Sequence, residues 1–243
     1  MLSSRSTETQ GNHDLFDAFG REGCPICTLT ATAVHRYMTS TNYDSVGDPV
    51  IRQQFERSQG FCNLHAHQWL DVAFILGTAQ IYRDVLRVTF DDLRKQRFRG
   101  RAAGQRVGAM LGWGRSSVAS GLPEASGPCP ACDIEEETAL RLRRTLLAGL
   151  SGADFRAAYA ASDGLCLVHL RPALLEADRE EIFDALQQRA VATREVLLAH
   201  LEETIRKHDY RFHHEPAGEE AGSPARAVDH VIGQRGITPR QPR

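Results

Sequence analysis

The chain has 243 residues, of which 42% are hydrophobic, and its formal net charge at pH 7 is −2. This length accommodates one large domain or two small ones, and the near-balance of charge excludes a global field that would draw the protein to nucleic acid or anionic lipid. No apolar run approaches the roughly 20 residues of a membrane helix, and the first residues lack the apolar stretch of a signal peptide. We therefore expect a cytoplasmic protein, in which paired cysteines indicate metal ligands or redox centres before disulfides.

Three helical segments are predicted in the first half of the chain. The first begins at Pro25, since proline is favoured in the first turn of a helix. A short helix over residues 50–59 ends at Gly60, a residue suited to the position after a helix. One long helical pattern then runs over residues 62–97. Its apolar positions form a stripe that predicts a buried face: Leu70, Phe74, Ile81, Val85, Val88 and Leu93.

Residues 98–128 are rich in glycine and serine and indicate a flexible linker. A basic run surrounds its start: Arg94, Lys95, Arg97, Arg99, Arg101 and Arg106. Because this run contains one aromatic residue, Phe98, and no helix-turn-helix pattern, we interpret it as a solvated segment and do not expect nucleic-acid binding.

The second half repeats the three helical segments. A helix follows Cys132, with an acidic first turn that suits the helix dipole. A short helix is predicted between a cap at Ser151 or Asp154 and a terminating Gly164. A long helical stretch covers residues 166–212, with Pro172 marking a boundary or kink. No segment alternates as a strand does, so the predicted fold is an all-α helical bundle.

All six cysteines lie in four short motifs. Cys24 and Cys27 recur 105 residues later as Cys129 and Cys132, and a cysteine–histidine pair recurs 104 residues later. The shared offset indicates an internal duplication. We therefore predict two helical modules, 13–97 and 129–212, joined by the linker 98–128 and followed by a partly disordered tail, 213–243. The recurring pair is Cys62 with His65 and then Cys166 with His169.

Three cysteines and one histidine per module predict a tetrahedral metal site. The CxxH motif places its two ligands at i and i+3, on one face of a helix. A Cys3His set suits a structural zinc ion, and its four ligands leave no open position for hydrolytic chemistry. The sequence thus predicts two zinc ions. It leaves open whether each CPxC motif shares its ion with the CxxH motif of its own half or of the other half.

Other uses of these residues are less well supported by the sequence. An iron–sulfur cluster held by three cysteines and a histidine is the main alternative. Thiol–disulfide chemistry at a CPxC motif is typical of a βαβ framework that is missing here. A c-type haem requires CxxCH, whereas Thr28 and Asp133 follow the second cysteines. His67 is interpreted as a surface or second-shell residue, because i and i+2 face different ways on a helix.

The paired CPxC and GxCxxH motifs, followed by a segment containing HDYRFHHEP within residues 207–228, resemble a bacterial family of unknown function. The resemblance covers residues from about 13 to 232. It implies a shared fold and no known activity. Its most specific parts are Cys24–Cys27, Gly60–His65, Cys129–Cys132, Gly164–His169 and Asp209–Arg211.

The sequence nominates no catalytic residue. It has no glycine-rich phosphate loop, no GxSxG motif and no HExxH motif, so an enzyme is not the favoured interpretation. We expect a zinc-stabilised interaction or regulatory module that binds a protein or another partner. The alternative is a redox or sensor protein that uses iron–sulfur clusters or oxidisable zinc thiolates. The sequence does not determine the oligomeric state.

Overall fold

The protein is represented by a computed structural model that describes residues 2–95 and 125–236. These residues form ten α-helices and no β-strand, which confirms the all-α prediction. A π-helix, Thr41–Ser45, extends α2, and a 3-10 helix, Glu219–Gly222, precedes α10. Most of the predicted linker lies outside the described residues. The helices are α1 (Leu2–Phe19), α2 (Pro25–Ser40), α3 (Pro49–Ser58), α4 (Asn63–Val72), α5 (Ile75–Lys95), α6 (Pro130–Gly149), α7 (Ala153–Ala161), α8 (Leu167–Glu176), α9 (Glu180–Lys207) and α10 (Ser223–Ile232).

Proline and glycine set the helix ends as the sequence predicts. Helices α2 and α6 both begin at the proline of a CPxC motif. Helix α3 ends with two residues of positive φ, Gln59 and Gly60, and the Gly60 amide donates to the Phe55 carbonyl at 2.8 Å. This bond satisfies one of the free carbonyls at the helix end, and the turn delivers the chain to the next motif.

The prediction of one long helix over residues 62–97 is wrong, because the structure divides this segment into α4 and α5. Helix α4 ends at Val72, and Ala73 has an extended backbone. The Phe74 amide donates to Asn42 Oδ1 at 3.0 Å, so a side chain from outside the helix replaces the intrahelical acceptor. The break is therefore stabilised by a tertiary contact that periodicity cannot indicate.

This break also changes which apolar side chains are buried. Ile81 and Val85 lie in the core as predicted, but Leu70 and Phe74 are 58% and 53% exposed. Val88 and Leu93 on α5 are partly exposed too. The predicted stripe is therefore only partly a core face.

The second long helix is divided as well, between α8 and α9. Pro172 lies inside α8 and marks no boundary; the chain turns extended at Ala177 instead. Arg143 on α6 donates to both carboxylate oxygens of Glu176 at 2.8 and 2.7 Å, which fixes the end of α8. Helix α7 is capped by Gly152, with neither predicted side chain as its cap.

The order of helices repeats along the chain. Helices α4 and α8 begin 104 residues apart, and α5 and α9 begin 105 residues apart. These offsets match those of the cysteine and histidine motifs.

The chain divides into two compact units, Met1–Tyr37 with Asp133–Arg243, and Met38–Cys132. The first unit thus combines the start of the chain with its second half, a division that differs from the predicted modules 13–97 and 129–212. It also contains α10, which lies within the segment 213–243 that was predicted to be a partly disordered tail.

Each unit has its own core. In the first unit, Phe19 packs edge-on against Phe155 and Tyr159, at ring distances of 5.1 and 5.7 Å. In the second, Phe61 lies between Phe55 and Trp69, at 4.8 and 5.3 Å. None of the described helices combines the length and the apolar character that crossing a membrane requires.

Candidate metal centres

The eight predicted ligand residues come together in two groups of four. Centre 1 comprises Cys24, Cys27, Cys166 and His169, and centre 2 comprises Cys62, His65, Cys129 and Cys132. In each centre the four ligand atoms lie within 4.8 Å of one another. Each centre combines the CPxC motif of one half with the CxxH motif of the other, which answers the question that the sequence leaves open.

Centre 1 is built at the starts of two helices in the first unit. Cys24 directly precedes α2, and Cys27 lies in the first turn of that helix. Cys166 is the N-cap residue of α8, and His169 is the third residue of that helix. Helix N-termini favour negative charge, so both helices stabilise thiolate forms at this point.

Hydrogen bonds hold the chain on both sides of Cys24. Gly23 has a φ of +89°, and its amide donates to Asp163 Oδ2 at 2.7 Å. Thr28 donates through Oγ1 to Gln234 Oε1 at 3.2 Å. The segment after α10 therefore contacts the residue that follows the CPxC motif, a relationship for which the sequence carries no local signal.

Centre 2 has the same construction in the second unit. Cys62 is the N-cap residue of α4, and Cys129 directly precedes α6. The chain before Cys129 is anchored on α3, where the amides of Ser126 and Gly127 donate to the Arg57 carbonyl at 2.8 and 3.1 Å. This anchor brings the CPxC motif of the second half to the CxxH motif of the first.

The separations of the ligand atoms fit one tetrahedral ion per centre. With Zn–S bonds of about 2.3 Å and a Zn–N bond of about 2.0 Å, a regular tetrahedron sets two sulfurs about 3.8 Å apart and a sulfur and nitrogen about 3.5 Å apart. In centre 1, His169 Nδ1 lies 3.6, 3.4 and 3.3 Å from the sulfurs of Cys24, Cys27 and Cys166. The sulfurs of Cys27 and Cys166 are 3.6 Å apart.

Centre 2 has nearly the same dimensions. His65 Nδ1 lies 3.3, 3.6 and 3.3 Å from the sulfurs of Cys62, Cys129 and Cys132. The sulfurs of Cys62 and Cys132 are 3.7 Å apart. Both histidines therefore present Nδ1 to the three sulfurs of their centre.

The two centres differ in exposure. All four residues of centre 1 are buried, whereas the three cysteines of centre 2 are partly exposed around a fully buried His65. His67 is exposed and belongs to neither group. His213 and His214, in the HDYRFHHEP segment, are also outside both groups.

Close contact between the thiols shifts their pKa values. In centre 1, hydrogen bonds from the thiols of Cys24 and Cys27 hold the pKa of Cys166 far below its ordinary value. Burial opposes protonation of His169. Hydrogen bonds to the thiols of Cys166 and, to a smaller extent, Cys24 outweigh burial and raise the pKa of His169 to about 9. In centre 2, the hydrogen bond from Cys132 lowers the pKa of Cys129 to about 3. Each centre thus holds a thiolate at neutral pH, the protonation state that a metal ion requires.

The supporting residues were not found by sequence reasoning. Asp163 and Gln234 hold the loop of centre 1, and Tyr82 packs against Gly60 beside centre 2. Asp163 adjoins the recognised Gly164–His169 motif and could have been suspected for that reason. Tyr82 and Gln234 act through tertiary contacts alone.

Comparison with known proteins gives one match. No curated protein and no solved structure matches the chain. The model of a family of unknown function matches residues 13–237, a range that contains both centres, all ten described helices except the start of α1, and the HDYRFHHEP segment. The chain therefore belongs to this family of unknown function, DUF6062.

Proposed function

We propose that the protein binds two zinc ions, one at each centre, and that zinc serves as a structural element of the fold. The observation that carries the proposal is the set of ligand separations, 3.3–3.7 Å, in two centres built from different residues. Those separations match the tetrahedron that zinc adopts with sulfur and nitrogen ligands. Thiolate and imidazole ligands also bind zinc in preference to harder metal ions such as magnesium or calcium.

The same separations favour a single ion over an iron–sulfur cluster. A cluster distributes its protein ligands over two or more irons, so ligands on different irons lie on opposite sides of the cluster. Here all four ligand atoms of each centre lie within 4.8 Å of one another. This spacing leaves room for one ion and none for a cluster core.

A structural role follows from the saturation and the placement of the centres. Four protein ligands leave no open coordination position for a substrate or an activated water. Each ion would join two helix starts that are far apart in sequence, Cys27 to Cys166 and Cys62 to Cys132. Structural zinc contributes on the order of 10 kcal/mol in small zinc fingers, so such crosslinks would stabilise both units.

The experiment that tests zinc binding is elemental analysis of protein purified without oxygen. We expect two zinc ions per chain and no visible absorbance. Replacement of zinc by cobalt should give the intense visible bands of tetrahedral cobalt–thiolate sites. Cys62→Ser should lower the metal content, whereas the matched control His67→Ala should leave it at two. Iron with inorganic sulfide, or folded protein that holds no metal, would contradict the proposal.

We further propose that the zinc-stabilised helices serve as an interaction or regulatory module in the cytoplasm, where thiols stay reduced. The support is a group of exposed apolar side chains around the junction of α4 and α5. Ile75, Leu76 and Tyr43 are 90%, 69% and 64% exposed, and Phe74 packs edge-on against Tyr43 at 4.9 Å. Large exposed apolar patches on a folded protein mark interaction sites.

Site-specific photo-crosslinking in cells tests the interaction role. A photoreactive amino acid at position 75 should give a discrete crosslinked product with a protein partner. The same amino acid at position 53, an exposed polar position on α3, should not. Equal crosslinking from both positions, or none from position 75, would contradict a partner at this surface.

A redox or sensor role is the second candidate, and the exposure of centre 2 favours it. Its three cysteines are partly exposed, whereas those of centre 1 are buried. Hydrogen peroxide would take two electrons from two thiolates of centre 2, giving a disulfide and water and releasing zinc. Release of one zinc ion per chain by peroxide, restored by a thiol reductant, supports this role; equal loss from both centres or loss from neither argues against it.

A further inference from the structure

A cleft of about 450 Å³ opens in the first unit, and none of the eight ligand residues of the metal centres lines it. It lies between the residues that follow α1, the loop between α7 and α8, one face of α9 and helix α10. Its volume falls within the range of small-molecule pockets in proteins. Neither the proposed zinc binding nor the apolar patch at the α4–α5 junction uses this cleft.

The polar lining of the cleft carries an excess of positive charge. Three guanidinium groups line it, those of Arg21, Arg189 and Arg226, against the two carboxylates of Glu22 and Asp163. Of these carboxylates, Asp163 already accepts the Gly23 amide at 2.7 Å. The balance leaves one net positive charge, which complements a singly charged anion.

Two polar atoms of the lining lack hydrogen-bond partners in the part of the chain that the structure describes. His230 is 93% buried, since its relative exposure is 7%, and its Nδ1 has no hydrogen-bond partner among the described residues. Arg189 donates through Nη1 to the Ala160 carbonyl at 3.0 Å, but its buried Nε has no partner within residues 2–95 and 125–236. Buried polar atoms without partners are costly, so both side chains retain hydrogen-bonding capacity beside the cleft.

A second histidine adds a donor to the same cleft. His200 Nδ1 lies 3.2 Å from Arg226 Nη2. Because a guanidinium can only donate, this nitrogen accepts, and the proton of the neutral ring is on Nε2. The same guanidinium donates to the Glu219 carbonyl at 2.8 Å, which fixes its position at the cleft.

The rest of the lining is apolar apart from the hydroxyl residues Ser162 and Thr193. Phe19 and Leu197 are buried core residues that also line the cleft, and Val196 is exposed beside them. A ligand that fits this lining combines a charged head with an apolar body. A phosphate ester would bring a second negative charge that the lining does not match.

We infer that this cleft binds a small organic monocarboxylate, with its carboxylate held by the guanidinium of Arg189 and the side chain of His230 and its apolar body against Phe19 and Leu197. Arginine is suited to this role because its planar fork matches the geometry of a carboxylate. The inference is independent of the proposed zinc binding, because none of the cleft residues belongs to either centre.

Isothermal titration calorimetry on the full chain tests the inference with three monocarboxylates: benzoate, phenylacetate and hexanoate. We expect at least one of them to bind with one site per chain and a Kd below about 1 mM. Phenylacetamide, the neutral counterpart of phenylacetate, and inorganic phosphate should bind more weakly or not at all. No binding of any of the three carboxylates, or equal binding of the amide, overturns the inference.

Variants locate the binding in this cleft. Arg189→Gln should weaken binding about tenfold or more, because it removes a charged hydrogen-bond donor to the carboxylate. Arg226→Gln should also weaken binding, because it removes the net positive charge of the lining. Arg36→Gln, at an exposed position on α2 in the same unit, is the matched control and should bind as the unaltered protein does. Zinc content and thermal unfolding measured on the same samples show that each variant is folded. Unchanged affinity in both cleft variants overturns the assignment of the site.

Discussion

The sulfur of Cys27 lies 3.6 Å from the sulfur of Cys166, although 139 residues separate the two cysteines along the chain. The CPxC motif of the first half thus meets the CxxH motif of the second, and the converse pairing forms centre 2. A metal ion at either centre would therefore tie together parts of the chain that a pairing within each half would leave independent.

The crossed pairing makes a stoichiometric prediction. Cys27→Ser and Cys166→Ser should each remove one zinc ion per chain, and the double variant should remove no second ion. Combining Cys27→Ser with Cys62→Ser should remove both ions, because these two cysteines belong to different centres. Elemental analysis of the variants measures the counts.

Pairing of the motifs within each half would give a different zinc count in the same experiment. If each half bound its own ion, Cys27 and Cys62 would share a site, and their double variant would lose one ion. His35→Ala, an exposed residue of α2 outside both centres, is the control and should retain two ions.

The ligand sets could be predicted from sequence because the motifs are local. CPxC begins a helix at its proline, and CxxH places both ligands on one helical face, wherever the partner motif lies. The pairing could not be predicted, since both arrangements use the same local motifs and tertiary packing decides between them. The break before Ile75 was missed for a similar reason: Asn42, 32 residues before Phe74, supplies its acceptor.

The order of the C-terminal region also depends on tertiary contacts that the sequence pattern does not reveal. The polar composition after Phe212 predicts little order, but α10 is present, and Gln234 beyond it contacts Thr28 in the first turn of α2, beside centre 1. A short polar segment can be held by a few specific contacts, which composition does not reveal.

Gly23→Ala tests how tightly the loop before Cys24 is held. Gly23 has a φ of +89°, and a Cβ there would overlap with Gln234 Nε2. We expect a loss of about 1–2 kcal/mol from the backbone conformation alone, with a further loss from the contact with Gln234. Urea unfolding of the zinc-loaded protein measures both.

Two further variants separate those contributions. Adding Gln234→Ala to Gly23→Ala should recover the part due to the contact and leave the backbone cost. Gly222→Ala, where a Cβ meets nothing within 4 Å and φ is negative, should change stability little. A Gly23→Ala protein as stable as the Gly222→Ala protein would show that the loop is not constrained.

Asp84→Asn should reduce the stability of the second unit in a pH-dependent way. Burial alone would raise the pKa of Asp84, but hydrogen bonds from Arg83 and Arg52 lower it below its ordinary value. Such a carboxylate stabilises the fold above its unfolded pKa, about 3.9, and the contribution is lost as the pH falls through the lower folded pKa. At pH 7 we expect a loss of about 1–2 kcal/mol, since both arginines are partly exposed.

The measurement is urea unfolding of both proteins at pH 7 and at decreasing pH. The difference in unfolding free energy should be largest at pH 7 and should shrink below pH 4. Comparing the two proteins at each pH cancels acid-induced metal loss that they share. Asp91→Asn, which removes an exposed ion pair with Arg94 at 3.3 Å, should cost no more than about 0.5 kcal/mol at any pH. A difference for Asp84→Asn that is independent of pH would contradict the assigned role of its charge.

The two centres should release metal at different rates. Centre 1 is buried on all four residues, whereas centre 2 has three partly exposed cysteines, so a chelator reaches centre 2 without a large opening of the fold. Excess chelator should remove the two zinc ions in two phases. If access to centre 1 needs a local opening that costs about 1–2 kcal/mol more, the rate constants should differ by roughly tenfold.

Cys62→Ser should abolish the fast phase, and Cys166→Ser should abolish the slow one. A single phase in the unaltered protein, or loss of the fast phase in Cys166→Ser, would mean that burial does not control the release of zinc. Either result would also argue against centre 2 as the responsive site of a sensor.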